Sequence, residues 1–135
     1  MNYSPLSVPE AFYHVYNRGN SYEKLFLNNE NYRFFYIKCQ NYLSSVSTIY
    51  AYSLLPNHFH LLIKTHSSEN IKLNENVTFS SHISKTFSNL FNSYTKSFNQ
   101  YHHRRGTLFS QPFKRKQIDS KDYLKNVVQY IHQNP

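Results

Sequence analysis

The residues best suited to chemistry lie in Asn57-His58-Phe59-His60-Leu61-Leu62-Ile63, where two histidines flank one bulky apolar side chain. A β-strand sends successive side chains to opposite faces. On a strand, His58 and His60 therefore share one face, and Phe59, Leu61 and Ile63 share the other. Two neutral imidazoles held in fixed register are half of a divalent-metal site. They could equally be two polar residues on a wet face, and the rest of the chain has to decide. Near the end, Tyr130 and Asn134 are four residues apart, which places them one turn apart on the same edge of a helix. His58, His60 and the amide oxygen of Asn134 can hold one cation between them, with the Tyr130 phenol beside it. A phenol is a poor nucleophile at neutral pH because its pKa is about 10. It becomes useful against a strongly activated target, or where a covalent intermediate has to be kept. A phosphodiester meets both conditions, because a metal on a non-bridging oxygen stabilises the charged transition state and aligns in-line attack. The plainer roles are an amphipathic core-edge tyrosine and, for Asn134, a helix C-terminal residue before Pro135.

Positioning these groups requires a sheet and a helix across it. Residues 11–17 read as a strand from their aromatic and β-branched content, and Arg18-Gly19-Asn20 turns the chain. A helix is expected over 29–43, with Tyr32, Phe35, Tyr36, Cys39 and Leu43 on one face and Asn28 or Asn29 as its cap. Residues 46–55 form a second strand, joined through Pro56-Asn57 to a third at 58–65 as an antiparallel hairpin. A polar loop, 66–79, leads to the clearest helix, about 81–102. There Ile83, Phe87, Leu90, Phe91, Tyr94, Phe98 and Tyr101 keep helical spacing and read as core. Leu108 to Ile118 holds a fourth extended segment, Pro112 marking an edge or an irregular start. Ser120 caps a final helix with Asp122 in its first turn and an apolar arc of Tyr123, Leu124, Val127, Val128 and Ile131. The order βα-ββ-αβ-α predicts an α+β fold, a ferredoxin-like split βαβ sandwich. Two helices cover one sheet face with Phe59, Leu61 and Ile63, and the last helix is free to cover the face that carries the histidines.

Composition narrows the function. The 135 residues predict one domain, 1–135, with a real core. One cysteine, Cys39, excludes a disulfide framework. No apolar run approaches the ~20 residues of a membrane span, and the N-terminus lacks a signal-peptide pattern, so a cytoplasmic protein without membrane partners is expected. The formal charge is +8. Between Glu75 and Asp119 there is no acidic residue, while Lys85, Lys96, Arg104, Arg105, Lys114, Arg115 and Lys116 fall there. Such a one-signed stretch is the footprint of a polyanionic partner. The 13 tyrosines and 11 phenylalanines include rings that could stack on unpaired bases.

Taken together, these blocks resemble the single-tyrosine HUH (His-hydrophobic-His) transposases, and most closely the REP-associated tyrosine transposase branch. The resemblance runs from Tyr13-His14-Val15-Tyr16-Asn17-Arg18-Gly19, Phe26-Leu27 and Tyr32-Arg33 through Leu55-Pro56-Asn57-His58-Phe59-His60-Leu61-Leu62-Ile63. It continues in Ser93-Tyr94-Thr95, Phe98-Asn99, Gly106-Thr107-Leu108-Phe109 and Phe113-Lys114. It closes on Tyr123-Leu124 and Tyr130-Ile131-His132-Gln133-Asn134-Pro135. It implies single-stranded DNA, usually carrying a hairpin, bound beside the metal. It implies attack by Tyr130 on a backbone phosphate, a 5′-phosphotyrosine and a free 3′-OH, and strand transfer by reversal. His58 and His60 match the metal pair, and Asn134 a position of the third ligand, where related enzymes use Gln. Mg²⁺ or Mn²⁺ is the implied ion, with Zn²⁺ or Ni²⁺ as substitutes. Arg18, Arg104, Arg105, Lys114, Arg115 and Lys116 are the expected DNA contacts. Members of the family act as monomers or as homodimers that exchange the tyrosine helix, at the bacterial nucleoid. They usually extend past the block at which this chain stops, so a truncated C-terminus is expected.

Two other readings belong to different classes. A catalytically inactive nucleic-acid-binding module on the same fold would bind DNA without metal or cleavage. A metal-dependent hydrolase would turn over without a covalent intermediate; the scarcity of carboxylates argues against a water-activating two-metal centre.

Overall fold

The structure is a computed structural model in which residues 4–133 are described. Four strands, β1 (Phe12–Arg18), β2 (Ser47–Leu55), β3 (His58–Thr65) and β4 (Lys114–Gln117), form one sheet in the order β2-β3-β1-β4. Every neighbouring pair is antiparallel. Helix α1 (Asn29–Leu43) joins β1 to β2, α2 (Phe79–Tyr101) joins β3 to β4, and α3 (Lys121–Gln133) follows β4. This is the expected split βαβ arrangement with an added C-terminal helix.

Side-chain alternation sorts the residues into two layers. Tyr13, Val15, Phe59, Leu61 and Ile63 point to the α1–α2 side and join Phe35, Cys39, Leu43, Phe87, Leu90, Phe91 and Tyr94 in the main core. Phe59 is fully buried, with ring centroids 5.2 Å from Phe35, 5.6 Å from Phe91 and 6.0 Å from Phe109. This anchor fixes the register of β3, because a one-residue slip would drive both histidines into an apolar core. On the opposite face Leu62 meets Val127 and Ile131 of α3, with Phe12, Ala51 and Ile118 around them. Here α3 closes the face that α1 and α2 leave open.

The helices begin where side chains satisfy the first free N–H groups. Asn28 accepts from Asn31 N at 2.9 Å, Thr78 from Ser81 N at 3.1 Å, and Ser120 from Tyr123 N at 3.1 Å. The buried face of α1 is Asn31, Phe35, Cys39 and Leu43, with Asn31 in place of the expected Tyr32 and Tyr36. Asn31 is held inside because its Oδ1 accepts from Leu27 N at 2.8 Å.

The fourth strand is shorter than the 108–118 segment expected. Phe109 makes only an isolated bridge to Gly19, and regular pairing resumes at Lys114, past Pro112, which has no N–H to give a ladder. The intervening segment is still tied to the end of β1. Ser110 N donates to Arg18 O at 2.9 Å, Asn20 N to Leu108 O at 2.7 Å, and Asn17 Nδ2 to Ser110 O at 2.7 Å. The polar 66–79 stretch contains a single 3-10 turn, Ser68–Asn70, and one buried anchor, Ile71. No helix among the described residues is long and apolar enough to cross a membrane.

Candidate active site

His58 and His60 lie on the α3 side of the sheet, opposite Arg18 and Tyr16 of β1. Their rings are 5.3 Å apart and nearly perpendicular. Tyr130 reaches the same place from α3, its ring edge-on to His60 at 4.9 Å, and it is 46% exposed. Tyr16, Asn17, Arg18, Tyr22, Asn57 and Lys114 complete the walls of a pocket of about 370 Å³ around these three residues. The expected histidine pair and tyrosine are therefore brought together. Asn134, the expected third ligand, lies outside the described residues.

Each histidine has one nitrogen engaged and one left over. His58 Nδ1 sits 2.9 Å from Asn57 Oδ1, so Nε2 is the nitrogen that remains. His60 Nδ1 is 3.0 Å from His14 Nε2, while His60 Nε2 is buried with no hydrogen-bond partner among the described residues. His60 is only 7% exposed. A buried nitrogen left unsatisfied costs roughly 1–3 kcal/mol, and a metal ion is the kind of ligand that would satisfy it. The donor set fits half of a divalent-cation site. Among the described residues no third His, Cys, Asp or Glu joins the pair.

The electrostatics suit ligation by neutral imidazole. Burial, helped by the neighbouring His14 and His58, lowers His60 from 6.5 to about 4. Burial also takes His14 to about 4 and lowers His58. Near neutral pH all three rings are neutral, so His58 and His60 can each offer a lone pair to a cation.

The cationic residues divide by place. Arg18 and Lys114 line the pocket, and the Arg18 guanidinium lies 4.4 Å over the Tyr22 ring. Arg105 and Lys116 are exposed, the latter 5.4 Å over Tyr123. Arg104 is engaged in structure: it pairs with Glu23 and donates to Asn99 Oδ1 at 2.7 Å and to Thr107 O at 2.8 Å. Arg115 faces the helix side, 8% exposed, with its guanidinium 4.3 Å over Phe113.

Sequence reasoning did not assign His14, Tyr16 or Asn57 to the site. The signal was present, since the alternation that aligns His58 with His60 also aligns His14 with Tyr16. In the split βαβ order β1 is the neighbour of β3, so the two pairs share a face. Tyr16 stacks within 4.5 Å of His14 and 5.6 Å of His60, making a ring layer behind the histidine pair. A larger groove of about 830 Å³ between α2 and residues 107–113 shares only Asn17 with the histidine pocket.

Neither a protein-family model nor a curated protein matches the chain. Solved structures do. A REP-associated tyrosine transposase bound to a REP hairpin superposes with a TM-score of 0.67 at 15% identity, over 100% of this chain and 72% of that one. A candidate transposase from Deinococcus radiodurans superposes with a TM-score of 0.59 at 13% identity, over 99% of this chain and 98% of that one. At such identities the likeness establishes the fold, and this chain has the fold of those transposases.

Proposed function

We propose that this chain is a tyrosine HUH transposase of the REP-associated kind, which cuts and rejoins single-stranded, hairpin-bearing DNA. The observation that carries the reading is the meeting of His58, His60 and Tyr130 in one pocket, from a strand and a helix 70 residues apart in sequence. A transposase of this fold bound to a REP hairpin supports the choice of DNA.

In this reading His58 and His60 hold the divalent cation, Mg²⁺ or Mn²⁺, with Asn134 as third ligand. Bound there, the cation would supply charge stabilisation to a phosphodiester. Tyr130 Oη attacks phosphorus and loses its proton. The P–O3′ bond breaks, and the departing 3′ oxygen takes up a proton. The DNA 5′ end is then a phosphotyrosine, of the same ester class as the bond broken, so a second 3′-OH can reverse the step with no outside energy source. Arg18 and Lys114 flank the pocket and would hold the phosphates on either side of the reacting one. Arg105 and Lys116 extend the basic surface, whereas Arg104 and Arg115 serve the packing of the chain.

The test is covalent capture on labelled hairpin oligonucleotides taken from DNA flanking the chain's own gene, with Mn²⁺ or EDTA. A labelled protein band that survives denaturation, disappears with EDTA and is lost in Tyr130→Phe is the expected result. Tight binding with no adduct in any arm would replace this reading with that of a DNA-binding module. Strand scission that persists in Tyr130→Phe would replace it with a hydrolase.

A further inference from the structure

His14 has no part in the reaction above and does not line the pocket. Its position is nevertheless specific. From β1 it places Nε2 at 3.0 Å from Nδ1 of His60, with the two rings stacked at 5.2 Å and 23°. Tyr16 stacks on both. Two imidazole nitrogens at that distance share one proton, and the tautomer decides what the far side of His60 offers. If His14 donates, the proton of His60 sits on Nε2, and the buried nitrogen facing the pocket is an N–H that repels a cation. If His60 donates from Nδ1, its Nε2 is a lone pair. In that case His14 carries its own proton on Nδ1.

We infer that His14 is a positioning residue for the metal half-site: it accepts the Nδ1–H of His60 and so keeps a lone pair on His60 Nε2. This rests on the proposed reading of His58 and His60 as metal ligands. Asn57 has the matching role for His58, since its Oδ1 lies 2.9 Å from His58 Nδ1 and accepts the proton there. The two acceptors leave Nε2 unprotonated on both ligands. Ligating histidines generally donate their second N–H to an acceptor, and loss of that acceptor weakens metal affinity by about 10–100-fold.

The test compares wild type, His14→Gln, His14→Phe and His58→Ala. Gln can place an acceptor oxygen near the position of the lost Nε2. Phe keeps the ring in the stack and has no acceptor. Two measurements are made on each protein: the tautomer of His60 in the metal-free state by long-range ¹⁵N NMR, and the dissociation constant for Mn²⁺ by electron paramagnetic resonance. The expected result is Nδ1–H on His60 in wild type and His14→Gln, mixed tautomers in His14→Phe, and Mn²⁺ binding about 10–100-fold weaker in His14→Phe alone of the two His14 variants. Wild-type His60 protonated on Nε2 overturns the inference, as does His14→Phe binding Mn²⁺ as tightly as wild type. If His14→Phe does not fold, the wild-type tautomer and the His14→Gln affinity still decide. Equal Mn²⁺ affinity in wild type and His58→Ala would instead overturn the metal reading, and the His60 tautomer would still judge the role of His14.

Discussion

A buried imidazole is a poor base, and this shapes both the chemistry and the stability of the site. His14 and His60 titrate near 4 in the folded chain, mainly through burial, against 6.5 for an exposed imidazole. Between those values the unfolded chain binds protons at these positions that the folded chain does not. Stability therefore rises with pH across this window and is lost as pH falls from about 6.5 toward 4; above 7 these two groups contribute no slope. Urea midpoints of the metal-free protein should accordingly drop over that interval. In His14→Phe/His60→Phe the drop should be shallower, with protonation of carboxylates remaining in both proteins. Parallel pH profiles in the two proteins would show that burial does not depress these rings. The same neutrality favours cation binding near neutral pH, where a proton competes poorly for either nitrogen.

At the level of elements, the site depends on how the end of β1 is tied to the start of β3. Gly19 N donates to Asn57 O at 3.0 Å, and Pro56 O accepts from Leu25 N at 2.7 Å and Phe26 N at 3.2 Å. Residues 19–26 are thereby held to the turn that presents His58. Gly19 permits this because the chain folds back on it: a Cβ there would lie 1.8 Å from the carbonyl oxygen of Glu23. Since that neighbour is backbone, Gly19→Ala has to displace the 20–23 turn, and we expect it to cost about 1–3 kcal/mol in chemical denaturation. It should also weaken DNA binding more than an exposed substitution such as Lys85→Ala, because Arg18 and Tyr22 move with the turn. Wild-type stability in Gly19→Ala would mean that the turn is free to shift. How much could be read beforehand follows from the same elements. The apolar stripe of α2 and the alternation of β3 are periodic signals, and both elements lie within two residues of their expected limits. The pairing of His14 with His60 depends on register between strands distant in sequence, and the close approach at Gly19 on how the local 19–23 turn folds back; periodicity carries neither. The burial of Asn31 has no periodic signal either: a polar residue is held inside because a loop amide, that of Leu27, and the ring of His102 lie beside its Oδ1.

The whole molecule carries its charge unevenly, and the cations differ in what they are free to do. Arg18 and Lys114 line the pocket, whereas Arg104 is committed to Glu23 and the 106–107 carbonyls. If the first two hold phosphates, Arg18→Ala or Lys114→Ala should each reduce the slope of log K against log salt by roughly 0.7 for a single strand. Arg115→Ala should leave the slope unchanged and lower stability. Fluorescence anisotropy over a range of salt measures the slope directly, and an unchanged slope in both pocket variants would remove them from the interface.

Which chain supplies the tyrosine is also a question for the whole molecule. Only residues 118–120 separate β4 from α3. Three extended residues span roughly 10 Å, and Ile118 uses its share to donate from N to Phe12 O at 2.9 Å while packing beside Val127 and Ile131. With the connection folded this way, α3 packs on its own sheet and Tyr130 lies beside its own His60. Mixing His60→Ala with Tyr130→Phe should then give no covalent adduct, because each chain lacks one half of its own site. Exchange of α3 between two chains would make one intact composite site in every mixed dimer. Random pairing would restore about a quarter of the wild-type adduct, so the labelled band on a denaturing gel separates the two arrangements without any knowledge of the oligomeric state.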